Sequence, residues 1–351
     1  MSDIQVVQVL WGTGTYLPQV QRTTAPSVAS FYASVLGGPS PLNSWLDADY
    51  NTAGGTNQHF GTGTFAGQYL ISPSTGTMVD DSQIQSELRT QIAAGNLPSP
   101  AVDAAGRDRT YYSIFFPAGT VVTVRGMSSC AYFGGYHNAV PGTAGTPTFA
   151  YGVHPDMTAC PYYGPSAWES TTIIAWHELA ETMTNPGTLA AGYGWVNSNG
   201  GGSEIADICT GTVGTTTGID GLSYAVQYLW SNSRNACYLP DDFAISTPLT
   251  APLQAGPRTS SISISTRVTS GGPATITLSV SGAPRGLAAS IPASATSGTT
   301  VQLSLRANDS ISAGTYPLTI TGTSSDGISH AAVVTVVVTA AAQHGRALGR
   351  T

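Results

Sequence analysis

The chain has 351 residues, of which 41% are hydrophobic and only 9% are charged. All 12 basic residues are arginine, and 19 acidic residues bring the formal net charge to −7. This balance leaves no basic surface to neutralise phosphates, so we expect no nucleic-acid binding. No apolar run approaches the roughly 18 residues of a membrane-spanning helix, so we expect no membrane span. The sparse charge fits either an extracellular protein or a compositional bias of the genome.

The first part of the chain mixes predicted strands and helices, which indicates an α+β domain over residues 1–245. Strand-like runs occupy residues 4–11, 111–116, 120–125, 131–133 and 149–153. Helices are predicted for residues 26–36, 80–95 and 170–184. An early proline and a following glycine mark the first helix, Asp80 and Asp81 cap the second, and the third ends before Asn185 and Pro186.

The composition changes near residue 245. Residues 246–257 are rich in proline, threonine and alanine and are predicted to form a linker. Five short strand-like runs follow, and their spacing predicts an all-β immunoglobulin-like sandwich over residues 258–339. We expect this sandwich to be a spacer or adhesion module that contacts a cell wall or cell surface. Residues 340–351 are expected to be disordered.

The four cysteines, Cys130, Cys160, Cys209 and Cys237, all precede the predicted linker. An even count at wide spacing, without a Cys-x-x-Cys motif, favours disulfides over a zinc ribbon, and disulfides indicate export. Of the three possible pairings we predict the sequential one, Cys130–Cys160 and Cys209–Cys237. Free buried thiols are the alternative.

The third predicted helix carries the sequence His177-Glu178-Leu179-Ala180-Glu181. Residues four apart share a helix face, so His177 and Glu181 can bind one metal ion together. Glu178, one position around the helix, can reach a water on that ion and act as a general base. This is the geometry of the zincin His-Glu-x-x-His helix with glutamate in place of the second histidine. The chain contains only five glutamates, which makes two solvated surface carboxylates a weaker explanation.

A third metal ligand is expected downstream, where Glu204 lies 23 residues after Glu181 and is followed by Asp207. By analogy with gluzincins, Glu204 binds the metal and Asp207 orients a ligand, although the two roles can be reversed. Zinc is the first choice, because a histidine is present and one coordination position stays open. The carboxylate oxygens also suit calcium or manganese.

Several segments resemble the EXORDIUM/phosphate-induced family of secreted plant proteins and its bacterial relatives, over roughly residues 4–240. The matching residues are 130 and 135–137, 160–161, 176–181, 185–186, 195, 204–209, 226–231 and 237. The resemblance implies secretion and a cell-wall or extracellular setting. The C-terminal sandwich resembles modules that are appended to secreted bacterial peptidases.

These observations predict a secreted zinc-dependent peptidase with a zincin-like metal domain, acting on a peptide or protein substrate. The alternative is a non-catalytic extracellular or wall-associated protein with a structural ion, for which His137 would supply a fourth ligand. A carbohydrate-active enzyme is a more distant third. His137, His154 and Tyr193 are candidate oxyanion stabilisers, and a purely structural role is the alternative for each.

Overall fold

The computed structural model describes residues 1–37, 40–55, 57–60, 63–160, 163–187, 194–197 and 203–340. The chain divides into two compact units, Met1–Pro240 and Asp241–Thr351. None of the helices in the described part of the chain has the length and apolarity needed to cross a bilayer.

The helices of the first unit surround a central sheet. They are α1 (Pro18–Gln21), α2 (Val28–Leu36), α3 (Pro41–Tyr50), α4 (Asp81–Ala93) and α5 (Ala167–Thr184), and a 3₁₀ turn spans Asp207–Cys209. The strands are β1 (Gln5–Trp11), β2 (Thr64–Ile71), β3 (Met78–Asp80), β4 (Thr110–Phe115), β5 (Val121–Val124), β6 (Met127–Ser128), β7 (Tyr136–Val140), β8 (Phe149–His154), β9 (Val213–Thr217), β10 (Ser223–Gln227), β11 (Leu229–Ser231) and β12 (Ala236–Tyr238).

The central sheet has the strand order β2-β1-β4-β8-β7. Strands β2, β1, β4 and β8 run parallel, and β7 is an antiparallel edge strand paired with β8. Every residue of β4 and β8 is buried, as expected for parallel strands covered on both faces. Helices α2 and α5 pack on one face, and α4 packs on the other.

Helix α5 confirms the third predicted helix and begins three residues earlier than residue 170. Ser166 caps it by accepting a hydrogen bond from the Glu169 N–H. Apolar side chains that include Trp176 and Leu179 are completely buried and fix the helix against the sheet. Asn185 is the C-cap, and Pro186 cannot continue the helix.

The strand predicted for residues 131–133 is wrong: residues 130–132 form a turn, and Phe133 makes only an isolated bridge with Ser129. Cys130 adopts a positive φ of 65°, and its N–H donates to the Phe133 carbonyl, which closes the chain into a tight turn. Both predicted disulfides, Cys130–Cys160 and Cys209–Cys237, are present.

The second unit consists of strands. They are β13 (Asp242–Ser246), β14 (Thr250–Gln254), β15 (Thr259–Ser270), β16 (Thr275–Ser281), β17 (Leu287–Ser290), β18 (Ser294–Thr296), β19 (Thr300–Ala307), β20 (Gly314–Ser324) and β21 (Ser329–Thr339). One sheet joins β13, β15, β19 and β17, and the other has the order β14-β21-β20-β16-β18. Apolar residues of both sheets form one core, so this unit is a β-sandwich.

The linker predicted for residues 246–257 is wrong. Strand β14 (Thr250–Gln254) lies inside that range and pairs in parallel with β21. Because β14 is an edge strand, Pro252 is tolerated although it cannot donate a ladder hydrogen bond. Residues 341–351 of the predicted disordered tail lie outside the described residues.

Candidate metal centre

Three parts of the first unit bring histidine and carboxylate side chains together. Helix α5 contributes His177, Glu178 and Glu181, strand β7 contributes His137, and the segment around the 3₁₀ turn contributes Glu204 and Asp207. The described residues contain two groups of three whose candidate ligand atoms all lie within 4.8 Å of one another. One group is His177, Glu181 and Asp207, and the other is His137, Glu178 and Glu181.

The first group joins the helix to the downstream segment. His177 Nε2 lies 3.1 Å from Glu181 Oε2 and 3.6 Å from Asp207 Oδ1. Burial alone would lower the pKa of His177, but the carboxylates of Glu181 and Glu178 outweigh burial and raise this pKa to about 10. The His177 ring therefore sits where a positive charge is strongly favoured.

The second nitrogen of His177 is already engaged. His177 Nδ1 lies 3.1 Å from Gln227 Oε1, and the Gln227 amide nitrogen donates to the Ala206 carbonyl. This second bond turns the amide oxygen towards the ring, so Nδ1 carries a proton in either charge state of His177. Nε2 is then the nitrogen that can bind a metal, once the ion displaces its proton. Metal-binding histidines are commonly held in this way.

Glu181 is oriented by the segment that supplies Asp207. Its Oε1 accepts hydrogen bonds from the N–H groups of Ala206 and Asp207, over 3.0 and 3.1 Å. Its other oxygen, Oε2, faces His177. The hydrogen bonds to neighbouring segments therefore engage His177 Nδ1 and Glu181 Oε1. The other two atoms, His177 Nε2 and Glu181 Oε2, face each other and are the candidate metal ligands.

The donor set fits a divalent metal ion. One imidazole and two carboxylates are ligands that zinc accepts, and three protein ligands leave a coordination position for water or substrate. Two carboxylates neutralise the two charges of such an ion. His177, Glu181 and Asp207 would hold it.

The second group surrounds His137. His137 Nδ1 lies 3.3 Å from Glu178 Oε2 and 3.7 Å from Glu181 Oε2, and Nε2 donates to the Asn185 carbonyl over 2.9 Å. Burial opposes a charge on His137, but hydrogen bonds to Glu178 and Glu204 hold its pKa well above the ordinary value. The two groups share Glu181, and no such group among the described residues brings His137 and His177 together.

Glu178 is buried beside His137, with only 3% of its side chain exposed. Burial raises the pKa of Glu178 above its ordinary value, and the neighbouring histidines oppose that shift. Gly135 allows β7 to approach this close, because a Cβ there would lie 2.8 Å from Glu178 Oε1 and 2.6 Å from Ile174 Cγ2. The glycine directly before β7 thus lets the start of the strand, Tyr136 and His137, lie close to α5.

Glu204 and Asp207 occupy different positions. Glu204 Oε1 accepts a hydrogen bond from Asn185 Nδ2 over 2.8 Å and lies 3.4 Å from His137 Nε2. Burial alone would raise the pKa of Glu204, but the hydrogen bond and charge of His137, the Asn185 hydrogen bond and the charge of His177 together outweigh burial and lower this pKa. Of the two assignments that the sequence leaves open, these distances favour Asp207 as the third ligand beside His177.

A cavity of about 690 Å³ adjoins this cluster. Tyr136, His137 and Asn138 of β7 line it together with Asn185 and Glu204. Because successive strand residues point to opposite faces, a cavity that touches three in a row follows the outer edge of β7. The cluster therefore lies at the side of a groove along an edge strand.

His154 and Tyr193 were the other predicted site residues. His154 is buried, stacks on Phe115 with ring centroids 4.6 Å apart, and lies 3.3 Å from the Tyr111 hydroxyl through Nε2. Burial lowers its pKa to about 3, which keeps the ring neutral. His154 belongs to neither ligand group among the described residues. Tyr193 lies outside the described residues.

Sequence reasoning assigned no role to Gln227 or Asn185, although both lie in segments that carry the family resemblance. Gln227 is buried in β10 directly after the buried residues Tyr224, Ala225 and Val226, and a polar residue that continues such a run is a signal that could have marked it. Asn185 was noted as the end of a helix and as part of the family resemblance, with no contact assigned to it.

No family model matches the chain, and no curated protein matches it. Domains 4 and 5 of the S-layer protein SbsC share 13% identity with a TM-score of 0.23, over 33% of this chain and 57% of that chain. WR4, an MSP family member from C. elegans, shares 10% identity with a TM-score of 0.23, over 28% of this chain and 97% of that chain. A PKD domain shares 12% identity with a TM-score of 0.19, over 27% and 85%. With scores this low, the chemistry of the site rests on its own geometry.

Proposed function

We propose that the first unit is a zinc-dependent hydrolase of peptide bonds with a zincin-like active site. The observation that carries the proposal is that the three polar side chains of the motif on α5 face two different partners. His177 and Glu181 converge with Asp207, whereas Glu178, between them in sequence, faces His137. A carboxylate beside a metal site, but outside the ligand set, is what a general base requires.

His177, Glu181 and Asp207 would hold the metal. Zinc bound there would lower the pKa of a water and polarise the substrate carbonyl. Glu178 accepts the proton that the water loses as its oxygen bonds to the scissile carbonyl carbon. Glu178 then returns this proton to the amide nitrogen as the carbon–nitrogen bond breaks. Its raised pKa suits both steps, since a base that must also donate works best with a pKa near the operating pH.

His137 supports Glu178 in this proposal. The hydrogen bond between His137 Nδ1 and Glu178 Oε2 fixes the carboxylate and provides a second proton-bearing group beside it. His137 also lines the cavity, whereas Glu178 is buried behind it.

A peptide is the substrate that the groove favours. Strand β7 lies at the edge of the sheet, and a cavity follows its outer side. An extended peptide can add to such an edge through main-chain hydrogen bonds, which places successive amides past the site. We further propose export of the protein, because its two disulfides require an oxidising compartment. We also propose that the sandwich contacts a cell wall or cell surface. The protein would then belong to the EXORDIUM-related group of secreted proteins.

The test is Glu178→Gln in the full chain, with Glu169→Gln on the same helix as the matched control. Zinc content is measured by elemental analysis and hydrolysis by mass spectrometry of a peptide library. We expect Glu178→Gln to keep its zinc and lose about 10²–10⁴-fold in rate, because acid–base catalysis is removed. Glu169→Gln is expected to keep both. A zinc-loaded wild type that cleaves no peptide between pH 3 and 9 would falsify the proposal.

A second candidate function is a non-catalytic protein with a structural ion. The group of His137, Glu178 and Glu181 favours it, because an ion there would engage Glu178 as a ligand. The same experiment separates the two functions. If Glu178→Gln loses zinc as readily as Glu181→Ala, Glu178 is a ligand and the structural ion replaces the hydrolase.

A further inference from the structure

Asn185, the residue that ends α5, uses each of its backbone and side-chain polar atoms. Its N–H donates to the Glu181 carbonyl over 2.6 Å, and its carbonyl accepts from His137 Nε2 over 2.9 Å. Its Nδ2 donates to Glu204 Oε1 over 2.8 Å, and its Oδ1 accepts from the Gly194 N–H over 2.8 Å. One buried residue thus joins the three segments that carry the site.

The conformation of Asn185 differs from that of an ordinary asparagine cap. Helices often end with asparagine or glycine in the left-handed region, whereas Asn185 has φ −146° and ψ 85°. The carbonyl at this point belongs to the negative end of the helix dipole, which favours a strong donor such as the His137 ring. The cap thereby connects α5 to the edge strand.

The hydrogen bond from His137 to Asn185 determines which way the ring faces. With Nε2 committed to the Asn185 carbonyl, Nδ1 is the nitrogen that meets Glu178 Oε2 at 3.3 Å. If the ring turned over, the Nδ1 contact with Glu178 would be lost.

The side chain of Asn185 acts on Glu204. Its amide holds Glu204 Oε1 on the His137 side of the cluster, and neither group of converging ligand atoms among the described residues contains Glu204. The other end of the same segment, Asp207, is then the carboxylate that lies beside His177.

We infer that Asn185 is a positioning residue of the site: it orients His137 against Glu178 and holds Glu204 apart from the carboxylates that converge on His177. The inference rests on the proposed function for its kinetic consequence, whereas its structural consequence can be measured without any activity.

Reversal of the Asn185–Glu204 hydrogen bond tests this inference. Asn185→Asp places a carboxylate against the Glu204 carboxylate, and the two repel. In the double variant Asn185→Asp with Glu204→Gln, the glutamine amide donates to the aspartate, so the bond returns with donor and acceptor exchanged. Glu204→Gln alone completes the cycle. Asn43→Asp is the matched control, because Asn43 is also a buried asparagine that donates through Nδ2, to the Val35 carbonyl over 2.8 Å.

Two readouts are taken on the zinc-loaded full chain. The first is the ¹⁵N spectrum of the histidine rings, which reports the tautomer and environment of His137. The second is kcat/KM for a cleaved peptide, corrected for the folded fraction. We expect Asn185→Asp to shift the His137 signals and to lower kcat/KM about tenfold or more, as for lost supporting bonds at metal sites. The double variant should return both towards the wild type, to within about threefold in rate. Asn43→Asp should lower Tm without moving the His137 signals.

The possible outcomes support or overturn the role of Asn185 as follows. If Asn185→Asp leaves the His137 signals and kcat/KM unchanged, or if the double variant is worse than Asn185→Asp, the inference is wrong. If Asn185→Asp does not fold, the double variant is compared with Glu204→Gln. The inference is then wrong if the His137 signals of the double variant lie further from those of the wild type than the signals of Glu204→Gln do. If the wild type cleaves nothing, the proposed function fails, and the histidine spectra alone decide whether Asn185 positions His137.

Discussion

The side-chain oxygen of Gln227 lies 3.1 Å from Nδ1 of His177, on the side of the ring away from Glu181. Gln227 is itself fixed through its amide nitrogen, which donates to the Ala206 carbonyl in the segment that precedes Asp207. One glutamine therefore contacts both the ring nitrogen that fixes the tautomer of His177 and the segment that carries Asp207.

Gln227→Leu should weaken zinc binding about 10–100-fold, because Nδ1 loses its acceptor and the ring loses its preferred tautomer. Gln227→Glu keeps an oxygen at the same place and should bind zinc more tightly than Gln227→Leu. Competition with a chromophoric chelator measures both affinities. Equal affinity of Gln227→Leu and the wild type would show that the glutamine does not orient the ligand.

Asp207→Asn and Glu204→Gln should affect zinc binding unequally. Asp207 lies beside His177, so its amide variant loses a charged ligand, and we expect a fall of more than about 100-fold. Glu204 lies beside His137 and Asn185, so its variant should stay within about tenfold of the wild type, the lower end for an outer residue. Isothermal titration with zinc gives both values. The reverse order would assign Glu204 as the ligand.

Removal of either disulfide should destabilise the first unit, but only the removal of Cys209–Cys237 should also weaken zinc binding. Each bridge closes a loop of similar length, with separations of 30 and 28 residues, so each double serine variant should lose about 3–4 kcal/mol in the loop-entropy account. Cys209 follows Asp207 by two residues, so loss of Cys209–Cys237 should also weaken zinc binding. Urea unfolding and zinc titration of both variants check this. A zinc affinity that depends equally on both bridges would contradict it.

His154 should make the protein sensitive to acid. Burial lowers its pKa in the folded state to about 3, against 6.5 when it is exposed. The unfolded chain therefore binds more protons between these values, and the stability that His154 contributes above pH 6.5 is lost as the pH falls towards 3. The slope is about 1.4 kcal/mol per pH unit within that window.

The measurement is urea unfolding at pH 4 and pH 7 in the presence of a chelator. His154→Phe keeps the stacking on Phe115 and should show a smaller loss of stability at pH 4 than the wild type. The half-exposed His59 provides the control variant, His59→Gln, which should behave as the wild type. An unchanged pH dependence in His154→Phe would mean that other groups cause the acid sensitivity.

Sequence patterns predicted the helix of the site well, because its signals are local. The apolar spacing of α5, the motif from His177 to Glu181, and the stop at Pro186 all lie within one continuous segment. The pairing of the four cysteines was also predictable, since sequential bridges are the simplest solution at this spacing.

The partners of that helix were harder to predict, because they come from distant parts of the chain. His137 meets Glu178 only because β7 pairs antiparallel with β8 at the sheet edge, and no local pattern in 136–140 reveals this pairing. The position of β14 (Thr250–Gln254) was missed for a similar reason: its proline and threonine residues are typical of a linker, and only β21 provides the ladder that orders them.

The two hydrogen bonds from Ala206 and Asp207 to Glu181 Oε1 are made entirely by protein atoms. They tie the downstream segment to α5 whether or not an ion is bound. A chelator should therefore yield a folded apoprotein that can be reloaded, in contrast to small zinc domains that unfold when their metal is removed. The same anchoring makes the centre tolerant of ion exchange, so that cobalt or manganese can be introduced into the intact fold as spectroscopic substitutes.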